Sequence, residues 1–497
     1  MISKSSYVKY WECPKKIWLN YYKKDEAEYS EMLQEAAIDG NKVGDLAKAY
    51  FDGTKDVSMR KSDGSIDYDN QCAATLEALQ DNVNCIAEAS FRYKDLFCAV
   101  DLLKKDDKGY SIYEIKSSLD IEKKQLVDVS FQKYVLEKLG YKINNIYVMH
   151  PNREYFLHGK LDVKSYFKPE CVDNNKIVLK NLNNISSNIS EISNILKNKE
   201  PETVFCGHCK KCEFSKYCKR DLPEDNIEMI NGFKYSHKFY NEKIYTVKDY
   251  VNSENYKCKP YKKDSLQDIQ LNSIISGNTQ PIIDKQKINA FVSNIKYPIY
   301  YLDFESTKEI IPKIDGFRPY EEYPFQYSLH IEYKDGKIEH KEFLGDEINC
   351  GRAVALHLIQ DIPQGSQIMA YNDDMEKRMI TYLANKYSDL KDSLLPLLNN
   401  FVDLLNVFTS GAYFDPKQGN SCSIKATMPA LCPHMQEAYK NLPVVHSGGE
   451  ALTMFPKLIE MKDLDKQKYV ETRKGMLEYC KLDTLSMVEI VKVLKNI

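Results

Sequence analysis

Four cysteines near the middle of the chain are spaced closely enough to ligate one metal centre. They are Cys206, Cys209, Cys212 and Cys218, in the pattern Cys-x2-Cys-x2-Cys-x5-Cys. Thiolates are the ligands that zinc and iron–sulfur clusters prefer, so this run predicts a thiol-ligated centre. A fifth thiol, Cys13, precedes a proline at the expected end of the first helix. It is either a distant fifth candidate ligand or an ordinary side chain.

A second group of residues combines two carboxylates with a lysine on neighbouring predicted strands. Glu114 and Lys116 are two residues apart, so on a strand both project from one face. Asp101 follows an apolar run on the preceding strand. Two carboxylates can hold Mg²⁺ or Mn²⁺ while a lysine positions water and offsets developing charge, which is the chemistry of metal-assisted hydrolysis. For Glu114 and Lys116 alone, an exposed pair on an edge strand is the alternative.

Two acids on another apolar strand indicate a further metal site. Asp303 and Glu305 alternate with apolar residues, so both carboxylates share a face. Like charges side by side are unfavourable without a cation. Farther along the chain, Tyr479 and Asp483 stand at positions i and i+4 of a predicted helix and share its face. A chance Asp-x-Glu on a surface strand is the alternative.

More acids follow a strand that is predicted to end at Asn372 and to turn into a helix. These acids, Asp374 and Glu376 among them, are expected at the same sheet edge as Asp303 and Glu305. Two other features are expected to be structural: Asp403 on an apolar segment, and the segment 421–425, whose serines and lysine could otherwise contact phosphate.

The length of 497 residues and the apolar patterns predict two α/β domains and a connector. In the first domain, residues 1–222, we expect helices at 28–51 and 72–83, followed by three strands between 85 and 118, a helix at 123–139 and a strand at 143–150. Residues 223–290 read as a helical connector, either similar to a helix-hairpin-helix element or a plain spacer. The second domain, residues 291–497, is expected to begin with strands near 297–306, 324–334 and 338–346.

Composition favours a soluble protein of a reducing cytoplasm. The 14 cysteines are mostly scattered singly, and the first residues lack an apolar signal core. No apolar run reaches the roughly 18 residues of a membrane-spanning helix. The net charge of -3 excludes a generally basic surface, so a nucleic-acid groove would be local. Lysines around the cysteine run supply one such patch, with a solvated basic loop as the alternative.

The chemistry-bearing residues of the first domain occur in a recognisable order: Cys13, Asp101, Glu114-Ile-Lys116, Gln132 and Cys209-x2-Cys212-x5-Cys218. This order resembles the RecB-like PD-(D/E)xK nucleases, specifically the iron–sulfur type found in CRISPR-associated exonucleases. The resemblance implies a restriction-endonuclease-like fold, activity on DNA, a bound Mg²⁺ or Mn²⁺ and a 4Fe-4S cluster. One departure is Gly44, which stands where that group often carries a metal-binding histidine.

The resemblance also implies roles for individual residues. The cluster ligands would be Cys13, Cys209, Cys212 and Cys218, which leaves Cys206 spare. The divalent cation would be held by Asp101 and Glu114, with Glu88 as a third acid. Lys116 and Gln132 would act in catalysis.

The second set of acids resembles the DEDD exonucleases in their tyrosine-containing subclass. That resemblance rests on Asp303, Glu305, an acid after Asn372 and the pattern Tyr479-x3-Asp483. For the acid after Asn372 it selects Glu376, with Asp374 as the fallback, and departs there from the family, which has an aspartate. It implies a ribonuclease-H-like fold, a two-metal site on the four acids, and Tyr479 as the residue that holds the attacking water.

Together the two resemblances predict a metal-dependent DNA nuclease that acts on single-stranded or free ends, with a 3′ to 5′ exonuclease in the second domain. RNA is the alternative nucleic acid. One competing hypothesis keeps only the C-terminal site active and makes the iron–sulfur domain a DNA-binding platform. The other is a zinc-stapled scaffold without catalysis.

Overall fold

The computed structural model describes residues 1–442, 444–445 and 447–497, apart from the side chains of residues 31 and 32. The chain forms two compact units of mixed α/β structure. Unit 1 comprises Met1–Asp221 together with Glu309–Glu321, and unit 2 comprises Leu222–Lys308 together with Glu322–Ile497.

Unit 1 contains seven strands and eight α-helices among its described residues. In chain order they are β1 (Ile2–Ser3), α1 (Lys4–Glu12), α2 (Pro14–Tyr22), α3 (Glu31–Ala47), β2 (Thr54–Asp56), α4 (Tyr68–Gln80), β3 (Cys85–Tyr93), β4 (Leu96–Asp106), β5 (Gly109–Ile115), α5 (Lys123–Lys138), β6 (Ile143–Pro151), α6 (Val163–Tyr166), β7 (Phe167–Cys171), α7 (Lys176–Ile195) and α8 (Ser215–Lys219).

The sheet of unit 1 has the strand order β2-β3-β4-β5-β6-β7, with β1 paired to β4. Strands β3, β4 and β5 run antiparallel, and β6 joins β5 in parallel after the crossover helix α5. The predicted order of three strands, helix and strand is therefore confirmed. The short strands β1, β2 and β7 were not expected, because two to five residues are too few to show a period of two.

Helix α5 is buried along most of its length. Its packing against the sheet sets the position of the polar residues that gather there. Phe131 and Val135 of this helix are fully buried, in one core with Val100, Ile112 and Val148 from the sheet. Helix α1 also packs here, because Tyr7 stacks on Phe131 with 4.9 Å between ring centroids. The first helix and its end at Cys13 are confirmed as predicted, and the structure shows Ser3 as the N-cap of this helix.

Unit 2 contains a larger set of helices and seven strands within its described residues. In chain order they are α9 (Ser236–Asn241), α10 (Val247–Asn252), α11 (Glu254–Cys258), α12 (Leu266–Ser276), β8 (Ile282–Ile283), α13 (Lys285–Ser293), β9 (Ile299–Thr307), β10 (Tyr323–Glu332), β11 (Ile338–Leu344), α14 (Gly351–Asp361), β12 (Gln367–Ala370), α15 (Asp374–Lys386), α16 (Lys391–Leu394), β13 (Phe401–Asp403), α17 (Leu405–Thr409), β14 (Tyr413–Phe414), α18 (Ile424–Leu431), α19 (Gln436–Lys440), α20 (Gly448–Leu464) and α21 (Lys466–Leu494).

The main sheet of unit 2 has the order β11-β10-β9-β12-β13. Strands β9, β10 and β11 are antiparallel, whereas β12 and β13 run parallel to β9. The three predicted antiparallel strands are confirmed, as is the strand that turns into a helix, now β12 and α15. The long helix α21 packs on β9 and β10, which places its polar residues beside those of β9.

No helix among residues 1–442, 444–445 and 447–497 is long and apolar enough to cross a membrane.

Candidate metal centres

The C-terminal candidate centre brings together three carboxylates from two elements. Asp303 and Glu305 come from β9, and Asp483 comes from α21; one ligand oxygen from each lies within 4.8 Å of the others. The alternation of β9 makes this arrangement, since Leu302 and Phe304 point away into the core, where they are 0% and 2% exposed. Among the residues that the structure describes, this is the only group of three or more such ligands at that spacing.

The electrostatics of the trio favour a bound cation. Burial, followed by repulsion from Asp483, raises the pKa of Asp303 and of Glu305 well above the usual range. Burial also raises the pKa of Asp483, to about 6, although hydrogen bonds from two tyrosine hydroxyls oppose the shift. Buried carboxylates that repel one another gain most from a divalent ion, because it neutralises them together.

Glu376, in the first turn of α15, lies near this centre but outside its group of ligand atoms within 4.8 Å of one another. It is 3% exposed, and its Oε2 atom is buried with no hydrogen-bond partner among the described residues. Its negative charge raises the pKa of Asp303 and of Glu305, so the carboxylate lies close to both. An unpartnered buried carboxylate oxygen beside three acids fits an additional metal ligand. The fallback candidate, Asp374, is exposed to solvent.

Asp403 has the structural role that the sequence suggested. Its Oδ1 atom accepts hydrogen bonds from the backbone N–H groups of Asn372 at 2.8 Å and Leu405 at 2.9 Å. These bonds tie the end of β13 to the turn after β12 and help to hold the start of α15 in place.

Two tyrosines approach Asp483, and the sequence identified only one. Tyr479, as predicted, is 3% exposed and hydrogen-bonds Asp483. Tyr439 of α19 also donates to Asp483, at 2.6 Å, with Ser486 at 3.0 Å from the same hydroxyl. Burial and the nearby acids raise the pKa of both tyrosines far above the usual range, so both hydroxyls stay protonated.

A lysine and a thiol complete the surroundings of the trio. Lys425 of α18 lies close enough to lower the pKa of both Glu305 and Asp483. Cys480, fully buried, has its Sγ atom 3.5 Å from Oδ2 of Asp303. Lys425 belongs to the segment 421–425, which was expected to be structural. Its position beside the acids shows that this segment also supplies a positive charge to the candidate site.

The N-terminal centre gathers four of the predicted residues. Lys116 donates to Oε1 of Glu114 at 2.5 Å, and Gln132 of α5 donates to Oε2 of Glu114 at 2.6 Å. Asp101 of β4 is held through its Oδ2 atom by the backbone N–H of Ile115 at 2.7 Å. Burial would raise the pKa of Glu114, but Lys116 and Lys4 outweigh it and hold that pKa well below its usual range.

Lys4 and Asp128 belong to the same centre, although the sequence did not reveal them. The Lys4 Nζ atom lies 3.3 Å from Asp101 Oδ1 and 3.1 Å from both carboxylate oxygens of Glu114. Asp128 accepts from Lys116 at 3.2 Å and from Gln132 at 3.0 Å. The spacing of Asp128 and Gln132, four residues apart on one helix, was a signal that could have found Asp128.

Glu88 is near this centre but is not grouped with it. Its φ of 58° is unusual for a residue other than glycine within a strand, and its carbonyl accepts a 2.9 Å bond from Gln71. Burial raises the pKa of Glu88, and Lys4 opposes the shift. Asp101, Glu114 and Glu88 do not form a ligand group like the C-terminal trio within the described part of the chain.

All five thiols of interest line one cleft of about 1200 Å³ in unit 1. Cys206 and Cys209 have their sulfurs 3.5 Å apart. The charge of Cys13 contributes to raising the pKa of Cys209 and of Cys218, so Cys13 lies near the cysteine run. Burial is the main cause that raises the pKa of Cys209 to about 12 and of Cys212 to about 11, and a bound metal would favour their thiolates.

The spacing of these sulfurs bears on the kind of metal they fit. A tetrahedral zinc site, with Zn–S bonds of about 2.3 Å, holds its sulfurs roughly 3.8 Å apart. No three of the thiols in the described chain lie within 4.8 Å of one another. In the described chain, three or more thiols are therefore not gathered at the spacing of a tetrahedral zinc site, although the Cys206–Cys209 pair alone is close enough.

Residues 300–423 match the family model described as Domain of unknown function (DUF2779). The matched segment contains Asp303, Glu305 and Glu376 but ends before Tyr479 and Asp483. No curated protein shows a significant match to this chain.

Proposed function

We propose that this chain is a metal-dependent nuclease that hydrolyses phosphodiester bonds of DNA, with its principal centre in unit 2. The observation that carries the proposal is the convergence of Asp303, Glu305 and Asp483 within 4.8 Å, beside the unpartnered buried carboxylate oxygen of Glu376. Four acids in this order, with Tyr479 four residues before the last of them, resemble the pattern of the DEDD exonucleases, with Glu376 where that pattern has an aspartate.

The sheet of unit 2 supports a ribonuclease-H-like fold. Three antiparallel strands, β11, β10 and β9, are extended by the parallel strands β12 and β13, and the acids stand on the central strand and on the helices beside it. Residues 291–497 are the domain that this proposal assigns to the exonuclease, with 3′ to 5′ polarity taken from the resemblance.

The residues of this centre would have different roles in hydrolysis. Asp303, Glu305, Glu376 and Asp483 would hold Mg²⁺ or Mn²⁺, which when bound supplies charge neutralisation at the phosphate and a more acidic water. The Tyr479 hydroxyl stays protonated at neutral pH, so it orients the attacking water rather than taking its proton. Lys425 adds a positive charge on the side of Glu305 and Asp483.

Unit 1 is proposed to carry the second centre on a restriction-endonuclease-like fold. The antiparallel β3-β4-β5 arrangement followed by α5 and the parallel β6 supports this fold. Asp101 and Glu114 converge on one cation, here the ammonium of Lys4, which supports a divalent site there. Lys116 stands between Glu114 and Asp128, the position from which it could stabilise charge on a cleaved phosphate.

The thiol cleft of unit 1 is proposed to hold a 4Fe-4S cluster on Cys13, Cys209, Cys212 and Cys218. Its support is the presence of all these thiols in one cleft, where no three of them in the described chain lie within 4.8 Å of one another. The cluster would tie the first helix to the end of the domain and is not assigned a catalytic step.

The test uses the full-length protein with Mn²⁺ and end-labelled single-stranded DNA, with an RNA strand of the same sequence alongside. Lys116→Ala, Asp303→Asn and their combination are compared with Lys133→Ala and Asp335→Asn, which change the same residue types elsewhere. We expect Asp303→Asn to remove 3′ to 5′ shortening and the controls to retain it. Cleavage that persists in the combined variant contradicts the proposal.

A second candidate function limits cleavage to unit 2. It is favoured by Lys4, whose ammonium lies between Asp101 and Glu114 where a catalytic cation would bind. Unit 1 would then bind DNA without cutting it. Glu114→Gln and Asp483→Asn separate the two candidates, because under the second one only Asp483→Asn abolishes cleavage and Glu114→Gln leaves its rate unchanged.

A further inference from the structure

The ammonium group of Lys4 lies between the two carboxylates that are expected to bind metal in unit 1. Its Nζ atom is 3.3 Å from Asp101 Oδ1 and 3.1 Å from each carboxylate oxygen of Glu114. We propose that Lys4 is an internal cation that occupies the divalent-metal position of this centre, so that a metal ion binds only by displacing it. This inference rests on the proposed metal site at Asp101 and Glu114.

The backbone fixes Lys4 at this position. Strand β1 pairs in parallel with β4, with Ile2 opposite Leu96 and Ser3 opposite Phe97. Ser3 then caps α1 through its Oγ atom, which accepts from the backbone N–H of Ser6 at 3.1 Å. The strand pairing and the cap together define where the helix begins, so its first residue stands beside the strand that carries Asp101.

The other lysine of the centre cannot take the same place. Lys116 is already bound to Glu114 Oε1 and to Asp128, at 2.5 Å and 3.2 Å. Asp101 forms an ion pair with Lys4, which also pairs with Oε2 of Glu114, the oxygen that accepts a hydrogen bond from Gln132. An ammonium that bridges two carboxylates reduces the repulsion between them, as a divalent ion would.

The charges explain why a metal could still enter. Asp101, Glu114 and Asp128 carry three formal negative charges against two positive ones on Lys4 and Lys116. Replacing the Lys4 ammonium by a divalent ion would bring this set to neutrality. The Lys4 side chain is 18% exposed and has a flexible four-carbon stem, so it has a route out towards solvent.

The first experiment measures Mn²⁺ affinity by titration calorimetry in a parent chain that carries Asp303→Asn and Asp483→Asn, which remove ligands of the other centre. Lys4→Met and Lys4→Gln are each added to this parent. Lys133→Met is the matched control, since Lys133 pairs with Asp173 and is also 18% exposed. Circular dichroism establishes that each variant is folded.

We expect both Lys4 variants to bind Mn²⁺ at unit 1 at least about tenfold more tightly than the parent, a difference of ~1.4 kcal/mol. The control should bind as the parent does. Equal affinity in the parent and the Lys4 variants overturns the proposal, and so does a lack of binding in all of them. If tightening occurs but the wild-type chain cuts no nucleic acid, the proposed function fails while the role of Lys4 stands.

A second measurement keeps Lys4 in place and does not depend on the folding of a variant. Displacement by metal would free the ammonium, so saturating Mn²⁺ should increase the acetylation of Lys4 by an amine-reactive reagent, read by mass spectrometry. Lys133 in the same sample should show no change. Acetylation of Lys4 that is unaffected by Mn²⁺, in a chain whose unit 1 binds the ion, would contradict displacement.

Discussion

Tyr439 donates a hydrogen bond of 2.6 Å to Asp483, across 44 residues of sequence. Asp483 is thus held by two tyrosines, one from its own helix and one from α19. Partners that bind a ligand carboxylate in this way fix its direction, and their loss commonly weakens metal binding.

The first prediction concerns Tyr439→Phe. Without this hydroxyl, Asp483 loses one of the two tyrosine bonds that oppose the rise in its pKa. We expect the Mn²⁺ affinity of unit 2 to fall by about 10- to 100-fold. Calorimetry in a Glu114→Gln parent, which disables the other centre, measures the effect.

Tyr333→Phe is the control for that experiment. Tyr333 also donates to a carboxylate, Glu339 at 3.1 Å, but it lies at the turn between β10 and β11. Unchanged Mn²⁺ affinity in Tyr439→Phe would mean that the hydroxyl supports folding alone.

The second prediction separates Glu376 from Asp374. Glu376 is buried with an unpartnered oxygen near Asp303 and Glu305, whereas Asp374 is exposed. Glu376→Gln should weaken Mn²⁺ binding by at least about tenfold, because an amide is a poorer ligand than a carboxylate. Asp374→Asn, two residues away on the same helix turn, should bind as the wild type does. The reverse order of effects would move the fourth ligand to Asp374.

The third prediction concerns His330, a buried histidine beside α21, the helix that carries Asp483. Burial, with help from His340 and Lys481, lowers the pKa of His330 to about 3 from the model-compound value of 6.5. Its Nδ1 atom lies 2.8 Å from Thr484 Oγ1, one residue after Asp483. Protonation therefore favours the unfolded chain, so stability falls as pH decreases from 6.5 towards 3.

His330→Gln removes this dependence. Between pH ~6.5 and pH ~5 we expect the wild type to lose about 2 kcal/mol of unfolding free energy more than the variant does. Urea unfolding followed by circular dichroism measures this. Tryptophan fluorescence would report on unit 1 instead, because both tryptophans, Trp11 and Trp18, lie there. The exposed His357→Gln is the control, and equal slopes for all three chains would contradict the prediction.

Much of the fold and half of the site could be predicted because the signals are local. Alternation along β9 indicated that Asp303 and Glu305 share a face, and helical spacing joined Tyr479 to Asp483. Asp101, Glu114, Lys116 and Gln132 likewise followed from strand and helix patterns. In each case the residues that matter lie within a few positions of one another, or on elements long enough to show a period.

The remaining site residues come from segments whose position is set only by tertiary packing. Lys4 reaches Glu114 because the two-residue strand β1 pairs with β4. So short a strand has no sequence pattern that predicts its partner. Tyr439 and Lys425 arrive on the short helices α19 and α18. Their approach to Asp483 depends on how those helices pack, which periodicity along the sequence does not specify.

The last prediction concerns which thiols bind the proposed cluster. Five thiols line the cleft, whereas a 4Fe-4S cluster takes four. Cys13 forms the C-cap of α1, and its charge contributes to raising the pKa of Cys209 and of Cys218. We expect Cys13→Ser to lose the iron, the inorganic sulfide and the broad visible absorption of the purified protein.

Cys206→Ser should retain all three signals at wild-type levels. Its sulfur lies 3.5 Å from that of Cys209, as close as two ligands of one zinc ion but too close for two thiolates on separate irons of a cluster. Cys258→Ser, an exposed thiol outside the cleft, is the control for the substitution itself. If Cys206→Ser loses the cluster while Cys13→Ser retains it, the run closes on itself and α1 is not part of the centre. Stoichiometric zinc in place of iron, in protein prepared without oxygen, would instead support the zinc-stapled alternative.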